Sequence, residues 1–411
     1  MFLKDFRDIF GRRLIYAKIN DMFSKRVDGI DSSFIRDILK LTKSRDIISF
    51  AGGLPDPELF PTEEFAHAAQ TILSNRQSAK EALQYGPSPG YEPLLEIISK
   101  SYDKKDNLKI DPNLIIITNG SQQALDLIAK IFINEGDGVL IENPTYLAAI
   151  QSLSFFKPKF YPVDTESDGP TLSSLPEAAG VKMFYTIPNF QNPSGVTWPN
   201  SKRQAIADYA QRENLILIED DPYGEIRFAG ERQKPLKTFC EKTILLGSFS
   251  KILAPGLRLG WMIAPDREIY EKLILAKQAA DLHTSQFTQM IAAEFYKHFD
   301  AQGHIDKIAE SYKSRKETMQ EALGEQLPDL MLSNPEGGMF LWASFPDDVD
   351  TQELLEFAVK EGVAFVPGVA FSCQKGGLKN SARLNFTNAD HDQIIEGVKR
   401  LKRAYEKYKN Q

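Results

Sequence analysis

The sequence predicts an α/β fold, in which a mostly parallel central sheet is flanked by helices and joined to a smaller α+β domain from the N- and C-terminal segments. From about residue 112, short apolar runs alternate with helical stretches. Such continuous apolar runs are typical of strands that helices cover on both faces. The last eighty residues instead mix strand signals with helical stretches, which indicates a separate α+β lobe.

The composition is that of a globular protein of enzyme size. Of the 411 residues, 42% are hydrophobic and 10% are aromatic, which excludes wholesale disorder. The net charge of −7 and the lack of basic runs argue against a nucleic-acid-binding protein and against a membrane-surface protein. Cys240 and Cys373 are far apart and form no metal-binding pattern, so a reducing cytoplasm is expected.

The first sixty residues predict an N-terminal helical arm (1–60). Phe34, Ile35, Ile38 and Leu41 recur at helical spacing, and a Gly- and Pro-rich connector follows them. The opening sequence MFLKDFRDIFGRR carries charges throughout, so we expect no secretory signal. No apolar stretch in the sequence approaches the ~20 residues that a membrane helix needs.

Residues 61–320 are expected to form the large domain, whose sheet is built from apolar runs. The helix after the first run is well patterned, because Ala124, Leu127, Ile128 and Ile131 fall on one face. The runs that predict strands are 114–117, 139–141, 183–187, 215–218, 244–246 and 259–263.

Beyond about residue 265, the alternation of apolar runs and helical stretches gives way to other patterns. The stretch 266–325 is helical in pattern, and residues 321–411 are expected to form the C-terminal small domain. The strand signals of this last part are GGMFLWASF (337–345), VAFVPG (363–368) and ARLNF (382–386).

Several predicted strands end in small, polar or charged residues. Ligands bind at the carboxyl ends of the strands in open α/β sheets. A polar cluster after a single strand is typical of an ordinary turn. Five such clusters at the same edge of the sheet predict a composite binding site. The five ends are 118–122, 142–146, 188–193, 219–223 and 247–251.

The turn at Gly120, Ser121 and Gln122 predicts a phosphate site. A glycine and a hydroxyl at a helix start present free N–H groups at the positive end of the helix dipole. A plain helix N-cap is the alternative, and it is the commoner role of a single serine. No GxGxxG motif follows a strand and no GxxxxGK[ST] motif is present, so neither a dinucleotide site nor a P-loop is supported.

Lys251 stands directly after a predicted strand and before the apolar Ile252. Partial desolvation lowers the pKa of a lysine and makes its amine a nucleophile that can form a Schiff base. Ser248, Ser250 and Arg258 could hold a phosphate dianion beside it. A single lysine at a strand end is most often a solvated surface residue, and the neighbouring hydroxyls and arginine favour the catalytic interpretation here.

Long motifs in this sequence resemble those of the fold type I, pyridoxal-phosphate-dependent class I/II aminotransferases. The motifs of the general family are YTIPNFQNPSG (185–195), IEDDPYGEIRF (218–228), GSFSKILAPGLRLGW (247–261) and ARLNF (382–386). Those that look most like the 2-aminoadipate/kynurenine aminotransferase branch are SSFIRDILKLTKSRDIISFAGGLPDPELFP (32–61), LQYGPSPGY (83–91) and TNGSQQALDL (118–127). The similarity runs from about residue 30 to the end, with the motifs in the family's order and spacing.

The resemblance implies a role for each residue around pyridoxal 5′-phosphate. Lys251 would bind the cofactor covalently and then move a proton, while Asp220 would pair with the pyridine nitrogen. Asn192 and Tyr223 would hydrogen-bond the phenolic oxygen, and Tyr146 would stack on the ring. Both tyrosines could equally be ordinary core aromatics if the family match is set aside.

The resemblance also implies the phosphate and substrate contacts. Arg383 would bind the substrate α-carboxylate with both guanidinium arms, although a solvated strand face is its alternative. Gly53, after Gly52, resembles a loop where a side chain would obstruct the substrate. Tyr85 would reach the phosphate of a neighbouring subunit, which implies a homodimer with shared active sites. The phosphate itself would lie among Ser121, Gln122, Ser248, Ser250 and Arg258.

Substrate range is less defined by the sequence. Arg36 matches an arginine that recognises the distal carboxylate of 2-aminoadipate or glutamate in similar enzymes, and its alternative is an exposed helix arginine. Leu54, Pro55 and Phe60 could line an apolar pocket instead. The resemblance implies an amino acid donor that is acidic, aromatic or aliphatic, with a 2-oxo acid such as 2-oxoglutarate as the acceptor.

Two other functions stay open at this point. A lyase, decarboxylase or cyclopropane-forming synthase of the same fold would share Lys251, Asp220 and Arg383. A ligand-sensing regulator would need a DNA-binding module, and only about fifty residues precede the Gly52–Gly53 loop. The histidines show no metal spacing, so no metal site is expected, and His283 is expected to serve packing or a dimer interface.

Overall fold

The computed structural model describes residues 23–28, 30, 47–177, 180–374 and 376–410. The helix predicted around Phe34 and Leu41 lies outside the described residues. The connector predicted after it is irregular, apart from one turn of 3-10 helix at Pro57–Leu59.

Apart from β1, the strands occupy two separate stretches of the chain. They pair into a large and a small sheet, and β1 forms a further two-stranded pair with β12. In chain order they are β1 (Ile48–Ser49), β2 (Ile115–Thr118), β3 (Gly138–Asn143), β4 (Lys159–Glu166), β5 (Gly169–Pro170), β6 (Val181–Thr186), β7 (Ile216–Asp221), β8 (Thr243–Ser248), β9 (Gly260–Ile263), β10 (Met331–Leu332), β11 (Phe340–Ser344), β12 (Val363–Ala364), β13 (Val366–Pro367) and β14 (Ser381–Asn385).

Helices alternate with these strands or follow them in longer groups. In chain order they are α1 (Thr62–Ser74), α2 (Arg76–Ala82), α3 (Glu92–Asp106), α4 (Ser121–Phe132), α5 (Leu147–Ser154), α6 (Asn200–Arg212), α7 (Arg267–Asp281), α8 (Gln286–His298), α9 (Ala301–Gln326), α10 (Thr351–Lys360) and α11 (His391–Lys409). The helical stretch predicted over 266–325 is thus three helices, α7 to α9.

The large sheet has the strand order β2-β9-β8-β7-β6-β3-β4-β5. The pairs from β8 through β7, β6 and β3 to β4 are all parallel. Strand β9 runs antiparallel to both of its neighbours, and β5 is antiparallel to β4. The mostly parallel sheet predicted from the apolar runs is confirmed.

The central strands of the large sheet are buried on both faces, which explains why their sequences are mostly apolar. In β3, Val139 and Ile141 belong to the core on one face, and Leu140 belongs to the core on the other. Helix α4 packs on the first face through Leu127 and Ile128, whereas α6 covers the second face. Each predicted apolar run coincides with a strand whose ends differ by at most three residues.

Strand β4 was not among the predicted strands. It pairs with β3 on one side and with the two residues of β5 on the other. Its sequence includes Pro162 and several charged residues, and most of its side chains are not buried. A proline is tolerated near a sheet edge, where the alternation of polar and apolar residues is also weaker.

The smaller sheet has the order β10-β11-β14-β13, and all its pairs are antiparallel. Strand β1 pairs in parallel with β12, so the chain near residue 48 joins the C-terminal part of the fold. Within the part of the chain that the structure describes, no helix is long and apolar enough to cross a bilayer.

Candidate active site

A cavity of about 380 Å³ opens at the carboxyl ends of the parallel strands. The small sheet closes its other side with residues of β11 and β14. Twelve residues that the sequence predicted for the site line it together: Gly53, Ser121, Gln122, Tyr146, Asn192, Asp220, Tyr223, Ser248, Ser250, Lys251, Arg258 and Arg383.

Lys251 follows β8, and its flanking residues Phe249 and Ile252 are buried in the apolar core. Its Nζ donates a hydrogen bond to the carbonyl oxygen of Gly53 at 2.7 Å. Burial, together with the charges of two nearby arginines, lowers the pKa of Lys251 to about 8. Near neutral pH a far larger fraction of this amine is therefore neutral and nucleophilic than of an ordinary lysine.

Asp220, at the end of β7, is buried in the wall of the cavity. Its Oδ2 accepts a hydrogen bond from the Tyr185 hydroxyl at 2.8 Å, and its Oδ1 has no partner among the described residues. Burial raises the pKa of Asp220 to about 7, although the bond from Tyr185 lowers it. The adjacent Asp221 accepts from the Gly224 N–H at 2.8 Å and does not line this cavity.

Asn192 connects the two sides of the cavity. Its Nδ2 donates to the Tyr223 hydroxyl at 3.2 Å, and its Oδ1 accepts from Nη1 of Arg383 at 2.8 Å. The turn that carries it is closed by a hydrogen bond from the Gly195 N–H to the Gln191 carbonyl oxygen at 2.6 Å. Burial raises the pKa of Tyr223, so this hydroxyl remains protonated and able to donate.

Arg383 is only 2% exposed, although it lies on a strand of the small sheet. Its Nη2 donates to the Ala51 carbonyl oxygen at 2.7 Å, and its Nε has no partner among the described residues. The guanidinium carbon lies 4.2 Å from the ring centroid of Phe340 and 5.0 Å from that of Phe371. Burial lowers the pKa of Arg383 to about 10, so the group stays cationic and suits a carboxylate ligand.

The start of α4 forms an anion cradle. Gly120 has φ +78°, and a Cβ there would lie 2.7 Å from Nη2 of Arg258. The Ser121 hydroxyl is buried and makes no hydrogen bond of normal geometry with the described residues, although it lies close enough to Asp220 to lower the pKa of that carboxyl. The Ser248 Oγ accepts from the Ser250 N–H at 3.1 Å on the facing turn. Free N–H groups at a helix start, hydroxyls and a guanidinium together suit a phosphate dianion.

Gln122 and Tyr146 line the same cavity from neighbouring segments. The Gln122 amide donates to the Ala148 carbonyl oxygen at 3.4 Å and contacts the Ser152 hydroxyl. Tyr146 immediately precedes α5, and burial raises the pKa of its hydroxyl.

Among the predicted site residues that the structure describes, Tyr85 does not line the cavity. Tyr85 is 79% exposed, and its ring packs edge-on against His283 with the centroids 5.9 Å apart. His283 accepts a hydrogen bond from the Gly86 N–H at 3.2 Å. Arg36 lies outside the described residues.

Sequence reasoning missed Tyr185, Ile187 and Phe340. Ile187 and Phe340 line the cavity, and Tyr185 donates to Asp220 from the neighbouring strand β6. A buried tyrosine hydroxyl needs a partner, which was the available signal for Tyr185. Phe340 comes from β11, and no local pattern indicated that this strand faces the rim of the large sheet.

These groups can act together on a phosphorylated pyridine aldehyde and a carboxylate substrate. The cavity offers an amine of lowered pKa, a buried carboxylate with a free oxygen, an anion cradle and a buried guanidinium. The amine can form a Schiff base, the carboxylate can hold a proton on a ring nitrogen, and the guanidinium can orient the substrate.

The comparisons with known proteins agree with this chemistry. A family model described as aminotransferase class I and II matches residues 45–401. The aromatic-amino-acid aminotransferase 1 of Thermococcus litoralis is 43% identical over 92% of this chain and 93% of its own length. The structure of a Pyrococcus horikoshii kynurenine aminotransferase, in complex with PMP, has a TM-score of 0.90 at 41% identity, covering 96% of this chain and 99% of that one. The alpha-aminoadipate aminotransferase of Thermus thermophilus, complexed with N-(5′-phosphopyridoxyl)-L-leucine, has a TM-score of 0.87 at 37% identity, covering 95% and 99%.

Proposed function

This chain belongs to the class I and II aminotransferases, and from that premise we propose how its residues carry out the reaction. The protein is an enzyme that uses pyridoxal 5′-phosphate to transfer an amino group between an amino acid and a 2-oxo acid. One observation carries the assignment of residues: the Lys251 amine, the Asp220 carboxylate and the Arg383 guanidinium line one cavity.

The residues of the cavity fit this cofactor. Asp220 Oδ1 is buried without a partner among the described residues, which suits a protonated pyridine nitrogen. The buried hydroxyl of Ser121 and the N–H groups at the start of α4 suit the phosphate. When bound, pyridoxal 5′-phosphate supplies an electron sink that stabilises negative charge on the substrate Cα.

Lys251 is the catalytic base and acid of this proposal. Its amine would hold the cofactor covalently between turnovers. During a turnover it would take the proton from the substrate Cα and deliver it to C4′ of the cofactor, and the second half-reaction would reverse this transfer. The lowered pKa supports both tasks, because a neutral amine is needed for each. Asp220 holds a proton on the pyridine nitrogen, and Tyr185 keeps that carboxylate in place.

The remaining cofactor contacts orient the ring and the phosphate. Asn192 and Tyr223 would hydrogen-bond the phenolic oxygen, and Tyr146 would pack on the face of the ring; all three line the cavity, which supports these roles. The phosphate is bound by a set of hydroxyl, amide and guanidinium groups, namely those of Ser121, Gln122, Ser248, Ser250 and Arg258.

Arg383 binds the α-carboxylate of each substrate in turn. Its unpartnered Nε and its burial between two aromatic rings support a guanidinium held ready for an anion. A Cβ on Gly53 would lie 3.3 Å from the Phe340 ring, so a side chain at this position would crowd the wall of the cavity. The two half-reactions use this site alternately, so the kinetics are ping-pong.

The amino donors we propose are 2-aminoadipate, aromatic amino acids and aliphatic amino acids, with 2-oxoglutarate as acceptor. The similarity to the Thermococcus litoralis and Thermus thermophilus enzymes supports this range. Arg36, which lies outside the described residues, is our candidate for the distal carboxylate of acidic donors. This assignment is supported by the resemblance of SSFIRDILK (32–40) to the 2-aminoadipate/kynurenine aminotransferase branch.

An absorbance titration of the purified holoenzyme tests the proposed function. Glutamate, 2-aminoadipate, leucine and phenylalanine are added separately, and 2-oxoglutarate is added afterwards. The yellow band of the bound cofactor should bleach with a donor and return with the oxo acid, and the midpoints rank the donors. A band that no amino acid bleaches reversibly would point to a lyase instead.

We propose a homodimer with shared active sites. Tyr85 is exposed on this chain, as are Leu83 and Leu282, and exposed apolar side chains of this size support an interface with a second copy. In that dimer Tyr85 would reach the phosphate bound by its neighbour.

We also propose a cytoplasmic enzyme with a helical arm (1–60), a large domain (61–320) and a small domain (321–411). Both cysteines are free thiols, which supports a reducing compartment. The large sheet within 115–263 and the small sheet within 331–385 support the division of the chain. Helix α9 (Ala301–Gln326) spans the proposed boundary.

A further inference from the structure

Lys277 is a buried charge for which the proposed reaction has no use. It lies on α7, and its side chain is fully buried. Its Nζ lies 2.7 Å from both carboxylate oxygens of Asp281, one turn further along the helix. The same amine lies 3.0 Å from Gln123 Oε1 and 3.0 Å from Thr284 Oγ1. A lysine with this many directed contacts is held in one position.

The Lys277–Asp281 pair is tied to the turn before α4. Asp281 Oδ2 accepts from the side-chain amides of Asn119, at 2.6 Å, and of Gln123, at 2.7 Å. Gln123 Oε1 in turn accepts from the backbone N–H of Asn119 at 2.8 Å. Asn119 is thereby held through its backbone and its side chain, and it immediately precedes Gly120, where the anion cradle begins.

Asn119 also contacts the opposite wall of the cradle. Its carbonyl oxygen accepts a hydrogen bond from Nη2 of Arg258 at 3.0 Å. A Cβ on Gly120 would lie 2.7 Å from the same nitrogen, so the turn and the guanidinium are in close contact. A shift of Asn119 would therefore move both the N–H groups at the start of α4 and the arginine that faces them.

We propose that Lys277 and Asp281 are positioning residues for the phosphate group of the cofactor. They act through Asn119 and Gln123, which fix the direction of the N–H groups and of the Arg258 guanidinium. The inference rests on the proposed function, since it takes the cradle at Ser121 and Arg258 as the phosphate site. Removing one partner of such a network leaves the other unpaired, so the geometry around it changes.

A purely structural pair predicts a different result from a positioning pair. If the pair only stabilises the end of α7, its loss should lower the binding affinity equally for all ligands of the cavity, or for none of them. If the pair positions the cradle, its loss should lower the affinity for the ligand that carries a phosphate. The affinity for the same ligand without a phosphate should not change. Pyridoxal 5′-phosphate and pyridoxal differ only by that group.

The test is a binding titration of the full chain stripped of cofactor. Pyridoxal 5′-phosphate and pyridoxal are titrated separately and followed by absorbance and tryptophan fluorescence. We expect the wild-type protein to prefer the phosphorylated ligand by about 100-fold or more. Lys277→Met should reduce this preference by about tenfold, with pyridoxal affinity unchanged within about twofold. Circular dichroism and a melting curve confirm that the variant is folded.

Two further variants keep the test decisive. Lys202→Met removes a lysine that is also buried but contacts the Pro170 carbonyl oxygen and Asp168, outside the cavity, and it should leave the preference unchanged. The double variant Lys277→Met/Asp281→Asn removes both charges and therefore leaves no unpaired charge buried. It takes the place of the single variant if that variant does not fold.

An unchanged preference in a folded Lys277 variant would overturn the inference. A wild-type protein that binds both ligands equally would instead overturn the proposed phosphate site, so the two failures are distinguishable.

Discussion

The pKa of Lys251 is lowered to about 8 because its side chain is buried near Arg383 and Arg258. Lys251→Ala should abolish transamination, with a loss of about 1,000-fold or more, because no other amine can carry the Cα proton. Cofactor should remain noncovalently bound through its phosphate. Single-turnover absorbance measurements with glutamate check this.

Lys316→Ala is the matched control for that substitution. Burial also lowers the pKa of Lys316, but its Nζ contacts Asn334 Oδ1 at 3.1 Å and does not line the cavity. It should retain turnover within a few-fold. Undiminished transamination by Lys251→Ala would contradict the assignment of the catalytic lysine.

Asp220 and Asp221 are adjacent carboxylates with different surroundings. Asp220 has a free oxygen in the cavity, whereas Asp221 accepts from the Gly224 N–H. Asp220→Asn should lower kcat by about 100-fold or more, because a neutral amide cannot hold a proton on the pyridine nitrogen. Asp221→Asn should lower kcat only a few-fold. Steady-state kinetics on both variants measure the two losses in kcat. A larger loss for Asp221→Asn than for Asp220→Asn would assign the role to Asp221.

Glu142 predicts a pH dependence of stability. It is buried, its Oε2 accepts from the Ile187 N–H at 2.9 Å, and burial raises its pKa from 4.5 to about 8. The folded state therefore holds the proton more tightly than the unfolded state, so the contribution of Glu142 to stability is full below pH ~4.5 and is lost as the pH rises towards 8. Glu142→Gln keeps the acceptor and removes the titration.

Urea unfolding of both proteins between pH 5 and pH 8.5 measures this contribution. The free energy of unfolding of the wild type should fall relative to that of Glu142→Gln with a slope approaching about 1.4 kcal/mol per pH unit. A difference between the two proteins that does not change with pH would show that Glu142 keeps one protonation state in both the folded and unfolded chain.

At the scale of elements, the start of α4 depends on Gly120. A Cβ there meets the Arg258 guanidinium, and φ is +78°. Gly120→Ala should weaken retention of pyridoxal 5′-phosphate by about tenfold, because the arginine must shift. Gly136→Ala is the control, since Gly136 also has positive φ but has open space around it. Cofactor release on dialysis measures both, and equal losses would assign the effect to backbone strain alone.

Elements were predictable where burial on both faces makes the sequence continuously apolar. The strands β2, β3, β6, β7, β8 and β9 all have this property. Strand β4 was not predicted because it contains Pro162 and charged residues and is only partly buried. Its pairing depends on β3 rather than on its own pattern.

The site was predictable where its residues follow strands of the large sheet. Arg383 shows the limit of such reasoning. Its alternation with apolar residues in ARLNF suggested a solvated strand face, yet the side chain is buried between Phe340 and Phe371. That face of the small sheet packs against the segments that carry Asn192 and Ala51. Packing between distant parts of the chain leaves no local pattern in the sequence.

At the scale of the whole molecule, shared active sites predict complementation between inactive subunits. Tyr85→Ala should lower activity by about tenfold, because each phosphate loses a contact from the neighbouring subunit. When it is mixed with Lys251→Ala and the subunits reassort, the mixed dimer regains one native site. Activity should then rise to about a quarter of the wild-type value. No recovery, in a protein shown by ultracentrifugation to exchange subunits, would exclude sharing through Tyr85.

The central claim is that Lys251 carries the cofactor in the cavity between the two sheets. Borohydride reduction of the holoenzyme, followed by proteolysis and mass spectrometry, tests it most directly, because reduction fixes the cofactor to the amine that binds it. We predict a phosphopyridoxyl group on the peptide that contains Lys251 and on no other lysine. A label on another lysine, or none on a yellow protein, would contradict the account.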